Sequence, residues 1–201
     1  MIRHDIQQNT NEWFELRKGK FTASTFKDLF AKETTATYEK AIYRVVFERL
    51  SGDLVTSEFQ SAYMKRGREL EPEALKRYSL ITFNKVDYAG FFEYNEWIGA
   101  SPDGLIGTDG LVEAKCPAYN TMINYLLKKT LPNEYYWQVH GQMFVTGRKW
   151  VDFLAYHPSL ETVVLKVNRD EKIIKELQTK LNESIEKVKS IIEKLNPKLL
   201  L

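Results

Sequence analysis

The strongest constraint on how this chain folds is one short stretch: Gly110, Leu111, Val112, Glu113, Ala114, Lys115, Cys116. Leu111, Val112 and Cys116 give it the character of an interior strand over 110–116. Alternate side chains of a strand share a face. Glu113 and Lys115 therefore point one way and Ala114 the other. A charged pair on one face of an apolar strand is either the solvated side of an edge strand or a buried site of chemistry. Upstream, Ser101, Pro102, Asp103 and Gly104 form a type I turn sequence, in which an Asp is also favoured for backbone hydrogen bonding alone. Turn and strand together spell Asp-x9-Glu-x-Lys.

The apolar period changes around this stretch. Before it, the pattern predicts helices from 11, capped by Thr10 or Asn11, from Thr22-Ala23-Ser24 through Phe26, Leu29 and Phe30, and over 37–50. A further helical pattern over 58–79 is interrupted at Gly67 and Pro72, with Pro72 where a new helix begins. Residues 88–99 read as a hairpin or two short strands, 119–128 and 133–146 as helices, and 149–156 and 161–167 as strands about a His157-Pro158 turn. The tail, from 169, is a long amphipathic helix with Leu181, Ile185, Val188, Ile192 and Leu195 in a 4-3-4-3 stripe. Helices on the faces of a central mixed sheet imply an α/β or α+β domain with one layered core. The expected organisation is a single domain, 1–201, with 169–201 as its C-terminal helix, packed on its own body.

At 201 residues, 43% hydrophobic and 13% aromatic, the chain has ample material for a core. A net charge of +2 neither announces nor excludes nucleic acid, because a nuclease must be acidic at its metal and basic along its phosphates. The lone cysteine, Cys116, excludes an internal disulfide framework and a four-cysteine zinc or iron–sulfur site, and suits a small buried hydrophobe. No apolar run reaches membrane-span length and the start lacks signal-peptide order, so a cytoplasmic protein is expected.

Carboxylates in this pattern suit metal-assisted phosphodiester hydrolysis. Magnesium takes oxygen ligands and keeps several waters, so two or three protein carboxylates suffice. Asp103 and Glu113 fit as bridging ligands, with the backbone carbonyl of Ala114 as another. Lys115 fits a group that orients or helps deprotonate the attacking water, or offsets charge in the transition state.

The pattern resembles the PD-(D/E)XK nuclease signature, and the chain from about Trp13 to His157 is similar to the lambda exonuclease and YqaJ-type viral recombinase nucleases. Four segments carry the likeness: Trp13–Arg17 with Thr22–Ser24; Arg66–Pro72; the Asp103, Glu113, Lys115 set; and Gln138–Gly147. The resemblance implies a restriction-endonuclease-like core. It implies Mg2+ as cofactor, with Mn2+ substituting, and Glu71 as a further metal-shell ligand; the alternative for Glu71 is an ordinary first-turn acid before Pro72. It implies that Arg17 and Ser24 clasp a 5′-terminal phosphate, for which guanidinium geometry is well suited, although they also fit a surface arginine and a helix cap. Gln138 and Gln142 lie one turn apart and share a helix face. By resemblance Gln138 reaches the active site and Gln142 the DNA phosphate. His140 reads as packed rather than catalytic.

The function implied is a magnesium-dependent 5′→3′ exonuclease on double-stranded DNA ends, leaving 3′ single strands for recombination. A ring-shaped homotrimer and a single-strand annealing protein as partner are implied likewise. The competing expectations are an endonuclease of the same fold, structure-specific or restriction-like, and a non-catalytic DNA-binding module. Trp13, Trp137 and Trp150 are expected in the core. The basic clusters Lys18-Lys20 and Lys65-Arg66-Arg68 are expected along a duplex.

Overall fold

The structure is a computed structural model that describes residues 1–55 and 62–195, the side chains of 62–64 excepted. The expected helical pattern over 58–61 and the end of the tail, 196–201, lie outside the described residues.

The sheet that carries the site has the order β5-β6-β7-β8: β5 (Gly104–Ile106), β6 (Gly110–Lys115), β7 (Trp150–Ala155) and β8 (Val163–Asn168). β6 runs antiparallel to β5 and parallel to β7, and β7 runs antiparallel to β8. The parallel step is made by two helices, α5 (Tyr119–Lys128) and α6 (Asn133–Thr146), that cross one face. Period-2 alternation sorts the side chains. Leu111, Val151, Phe153 and Ala155 enter a large core beneath α6 and the C-terminal helix α7 (Glu171–Leu195). Val112, Ala114 and Leu154 enter a smaller one with Ala74 and Tyr78 of α4 (Ala62–Thr82).

A second sheet, rather than one central sheet, completes the β structure. Its order is β1-β3-β4-β2, from β1 (Ile2–His4), β2 (Phe21–Thr22), β3 (Phe91–Asn95) and β4 (Ile98–Ala100). The β2–β4 step is parallel and the other pairings antiparallel. Thr10 caps α1 (Asn11–Arg17), its side chain accepting from the Trp13 amide. After β2 come a 3-10 turn, Ala23–Thr25, and the short α2 (Phe26–Leu29), then α3 (Ala36–Ser51), which ends at Gly52 in the left-handed region. The long tail helix buries Ile174, Leu177, Leu181, Ile185, Val188 and Ile192 against the body, as expected.

The break expected at Pro72 is not there: α4 runs through it. An internal proline removes one backbone hydrogen bond and crowds the preceding turn. Pro72 lies on the exposed side, while Ala74 and Tyr78, on the inner side, are wholly buried. The Tyr78 hydroxyl donates to Asp152 of β7 at 2.6 Å, which pins the helix across the sheet. Among the described residues no helix is long and apolar enough to cross a membrane.

Candidate active site

β5 pairs with β6 only from Gly110 to Val112, so Glu113, Ala114 and Lys115 project beyond it while still paired with β7. The Asp103 side chain fills the missing β partner, its Oδ2 accepting from the Ala114 amide at 2.7 Å. The turn and the strand end are thereby brought together. The N-terminal segment holds that turn from outside: Trp13 Nε1 donates to Ser101 Oγ at 2.8 Å, and Gln8 Nε2 to the Pro102 carbonyl at 2.9 Å.

Glu113 is 1% exposed, so the pair is a buried site and not a solvated edge. Its Oε1 accepts from Lys115 Nζ at 2.5 Å and from Gln138 Nε2; its Oε2 accepts from Gln142 Nε2 at 2.5 Å. Both glutamines come from one face of α6, as their spacing requires. Gln142, expected on the DNA, is itself buried, and reaches Glu113 instead.

Charge crowding marks the cluster. Burial pushes the Asp103 carboxyl well above the usual range, and the Glu113 and Glu71 carboxylates push it further, against the pull of Lys115 and the Ala114 amide. Glu71, from α4, is raised by burial and by Glu113. For Lys115, burial lowers the value, but Glu113 and Asp103 outweigh it and the net shift is upward. The donor set fits a hard divalent cation. It is all oxygen, and its carboxylates outnumber the ammonium beside them. Among the described residues no three acidic, histidine or cysteine side chains lie together closely enough to hold a metal ion by themselves. A cation that keeps several of its waters needs fewer protein ligands than that.

The structure also brings Arg17 and Ser24 together. Arg17 Nη2 lies 3.1 Å from Thr22 Oγ1 and 3.5 Å from Ser24 Oγ, and the guanidinium sits over the Trp13 ring at 4.0 Å. Burial, with Arg44 nearby, pushes its pKa down to about 10. Among the described residues no acidic side chain is ion-paired to Arg17. Ser24 is not a cap: Thr22 stands at the N-cap of the 3-10 turn and Thr25 at that of α2, neither with a side-chain cap bond. Its exposed hydroxyl lines a cleft of about 510 Å³ with Gly67, Arg68, Glu71, Ala114, Lys115 and Tyr135.

Two residues of this region carried no role in the sequence reading. Thr22 stands inside the first motif segment and approaches Arg17 more closely than Ser24 does. Tyr135 sets its ring 5.1 Å from Lys115 Nζ; its place one turn before Gln138 on α6 was the available clue. The basic clusters are largely committed to the protein. Lys18 pairs with Glu15, and Lys20 with Glu93. Arg66 donates to the Cys116 and Pro117 carbonyls and so holds the chain leaving β6. Cys116 is half-buried, its thiol pushed up to about 11 by burial and by Glu71, which suits an inert hydrophobe. His140 is buried, as expected, with no partner for Nδ1 among the described residues. Trp13 is buried; Trp137 and Trp150 are half-buried against the two cores.

Comparison with known proteins shows the family and the fold. Residues 12–149 match the YqaJ-like viral recombinase domain. An alkaline exonuclease from Laribacter hongkongensis is 34% identical, with a TM-score of 0.86 over 94% of this chain and 97% of that one. Its complex with dAMP gives 35% identity and a TM-score of 0.87 over the same shares. A phage-related exonuclease from Haemophilus somnus 129PT, 14% identical over 88% of this chain and 96% of that one, shares the fold with a TM-score of 0.70. A comparison with the curated proteins returned no match. With the shared domain spanning most of its length and its acidic cluster at the strand end, the chain belongs to the YqaJ-like viral recombinase family.

Proposed function

We propose that this chain is a magnesium-dependent exodeoxyribonuclease that removes nucleotides 5′→3′ from one strand of linear duplex DNA, leaving 3′ single-stranded tails for recombination. The observation that carries the reading is the shared cleft: Ser24, beside Arg17, opens onto the same space as Lys115 and Glu71. A terminal phosphate held by Arg17 and Ser24 would set the first phosphodiester of that strand near the carboxylates. The alkaline exonuclease relative, solved with dAMP, is consistent with a cleft that takes a nucleotide.

Asp103, Glu113, the Ala114 carbonyl and Glu71 would hold the magnesium, with manganese as a substitute. Bound there, the ion would supply Lewis-acid neutralisation of phosphoryl oxygen and a water of lowered pKa. The chain's own groups do the rest. Arg17 offers parallel N–H donors to the end phosphate, and the Ser24 hydroxyl adds a donor. Lys115 orients the attacking water and offsets charge that develops in the transition state. Gln138, half-buried and donating to Glu113, reaches the active site. A homotrimeric ring around the duplex and a single-strand annealing partner belong to this reading, with the cytosol as its setting.

The test compares 5′-labelled with 3′-labelled linear duplex and closed circular duplex, in magnesium and then EDTA, with mass measured in solution. Early release of the 5′ label, survival of the circle and arrest by EDTA are expected. Cleavage of the circle would transfer the assignment to an endonuclease of the same fold.

A further inference from the structure

The two oxygens of Glu113 live in different surroundings. The outer one, Oε1, accepts from Lys115, which lines the cleft, and from the half-buried Gln138. The inner one, Oε2, accepts from the Gln142 amide, on a residue only 1% exposed. An ionised carboxylate only accepts, so the NH2 end of Gln142 must face it. The other end, Oε1 of Gln142, is buried without a partner among the described residues. A buried amide held with one half unsatisfied has a cost that packing alone would avoid, since an apolar side chain fills the same space without an orphaned acceptor. The half that is satisfied is the half that touches Glu113.

The backbone fixes Gln142 in depth. Gly141 lets α6 press onto the 3-10 turn: a Cβ there would fall 2.4 Å from Phe26 Cδ2 and 3.3 Å from Ala23 Cβ. The Thr146 hydroxyl bonds the Gln142 carbonyl at 2.7 Å. Gln138, a turn earlier, is only half-buried.

From these contacts we infer that Gln142 is a positioning residue that anchors the inner oxygen of Glu113 so that the outer oxygen is presented to a divalent cation, while Gln138 is the exchangeable donor. The two glutamines share a helix face and a carboxylate but divide the work. The inference rests on the metal-dependent reading above.

The test is a manganese titration of DNA-free protein, followed by the electron paramagnetic resonance signal of free Mn2+, for wild type, Gln142→Leu, Gln142→Ala and Gln138→Leu. Removing an outer partner of a metal ligand weakens metal binding by about 10–100-fold. Gln142→Leu is expected to show that loss, and Gln138→Leu a change within about threefold. Gln142→Ala, small enough for a water to replace the amide, covers the case in which Gln142→Leu does not fold, and its loss is expected to be smaller in size but clear. Circular dichroism and the melting temperature establish folding. A folded Gln142 variant with wild-type Mn2+ affinity, or Gln138→Leu losing more than Gln142→Leu, overturns the division of roles. Wild-type protein that binds no Mn2+ overturns the metal-dependent reading itself, and this inference with it.

Discussion

Glycine to alanine in two helices of this protein should move stability in opposite directions. Inside a helix, alanine is favoured over glycine by about 0.5–1 kcal/mol. At Gly67 of α4 an added Cβ meets nothing within 4 Å, so Gly67→Ala should stabilise by about that amount. At Gly141 of α6 the same methyl would stand 2.4 and 2.7 Å from carbons of Phe26, whose ring is fully buried. Carbon atoms rest about 3.5–4.0 Å apart, so the overlap exceeds about 1 Å and Phe26 or α6 must move. Overpacking of this kind costs about 1–3 kcal/mol, which outweighs the propensity gain and leaves a net loss of up to about 2.5 kcal/mol. The displaced helix carries Gln138 and Gln142, so cleavage should fall as well. Gly67 lines the cleft, so Gly67→Ala should raise stability while lowering activity. Urea unfolding with a shared m-value, and exonuclease rates on linear duplex, measure both. A Gly141→Ala protein more stable than wild type would refute the argument that α6 is pressed against Phe26.

Lys115→Ala should reduce cleavage by at least about 10²–10³-fold with duplex binding largely retained, because it removes a charge that acts on the transition state; single-turnover rates set beside a binding isotherm check it. Arg17→Ala should impair 5′-phosphorylated ends about 10–100-fold, as loss of a charged hydrogen bond of about 1.5–3 kcal/mol predicts, and 5′-hydroxyl ends far less; equal losses remove Arg17 from the end grip. His140 should make the fold sensitive to acid. Burial lowers its pKa from 6.5, against the pull of Asp170, so the folded state holds it neutral. The unfolded chain then takes up the proton first, and stability is lost as pH falls through about 6.5. The drop in melting temperature from pH 7.5 to 5.5 should be smaller in His140→Gln than in wild type.

What could be read in the sequence was whatever a short, local rule controls. Strand alternation put Glu113 and Lys115 on one face, and their 2.5 Å contact follows from it. Helical spacing put Gln138 and Gln142 together, but spacing carries no depth, so it did not tell the half-buried amide from the buried one. Ile2–His4, Phe21–Thr22 and Gly104–Ile106 are too short for a period to register, and they exist because neighbouring strands supply their hydrogen bonds. For that reason β1 and β2 of the second sheet and β5 of the first were not legible, whereas the β3–β4 hairpin was expected over 88–99. Pro72 was misleading because the rule for proline is local, whereas the burial of Ala74 and Tyr78 that carries the helix through it is tertiary.

From Val139 to Thr146, α6 is buried at every position. One flank braces the carboxylate and the other bears on the turn that ends in Ser24 and Thr25. Such a rod has no outside on which to vary. Attempts to retune which DNA ends are accepted should therefore alter the exposed Ser24 loop and the residues around Arg17, because any change of volume in the rod is transmitted to hydrolysis and to end capture at once.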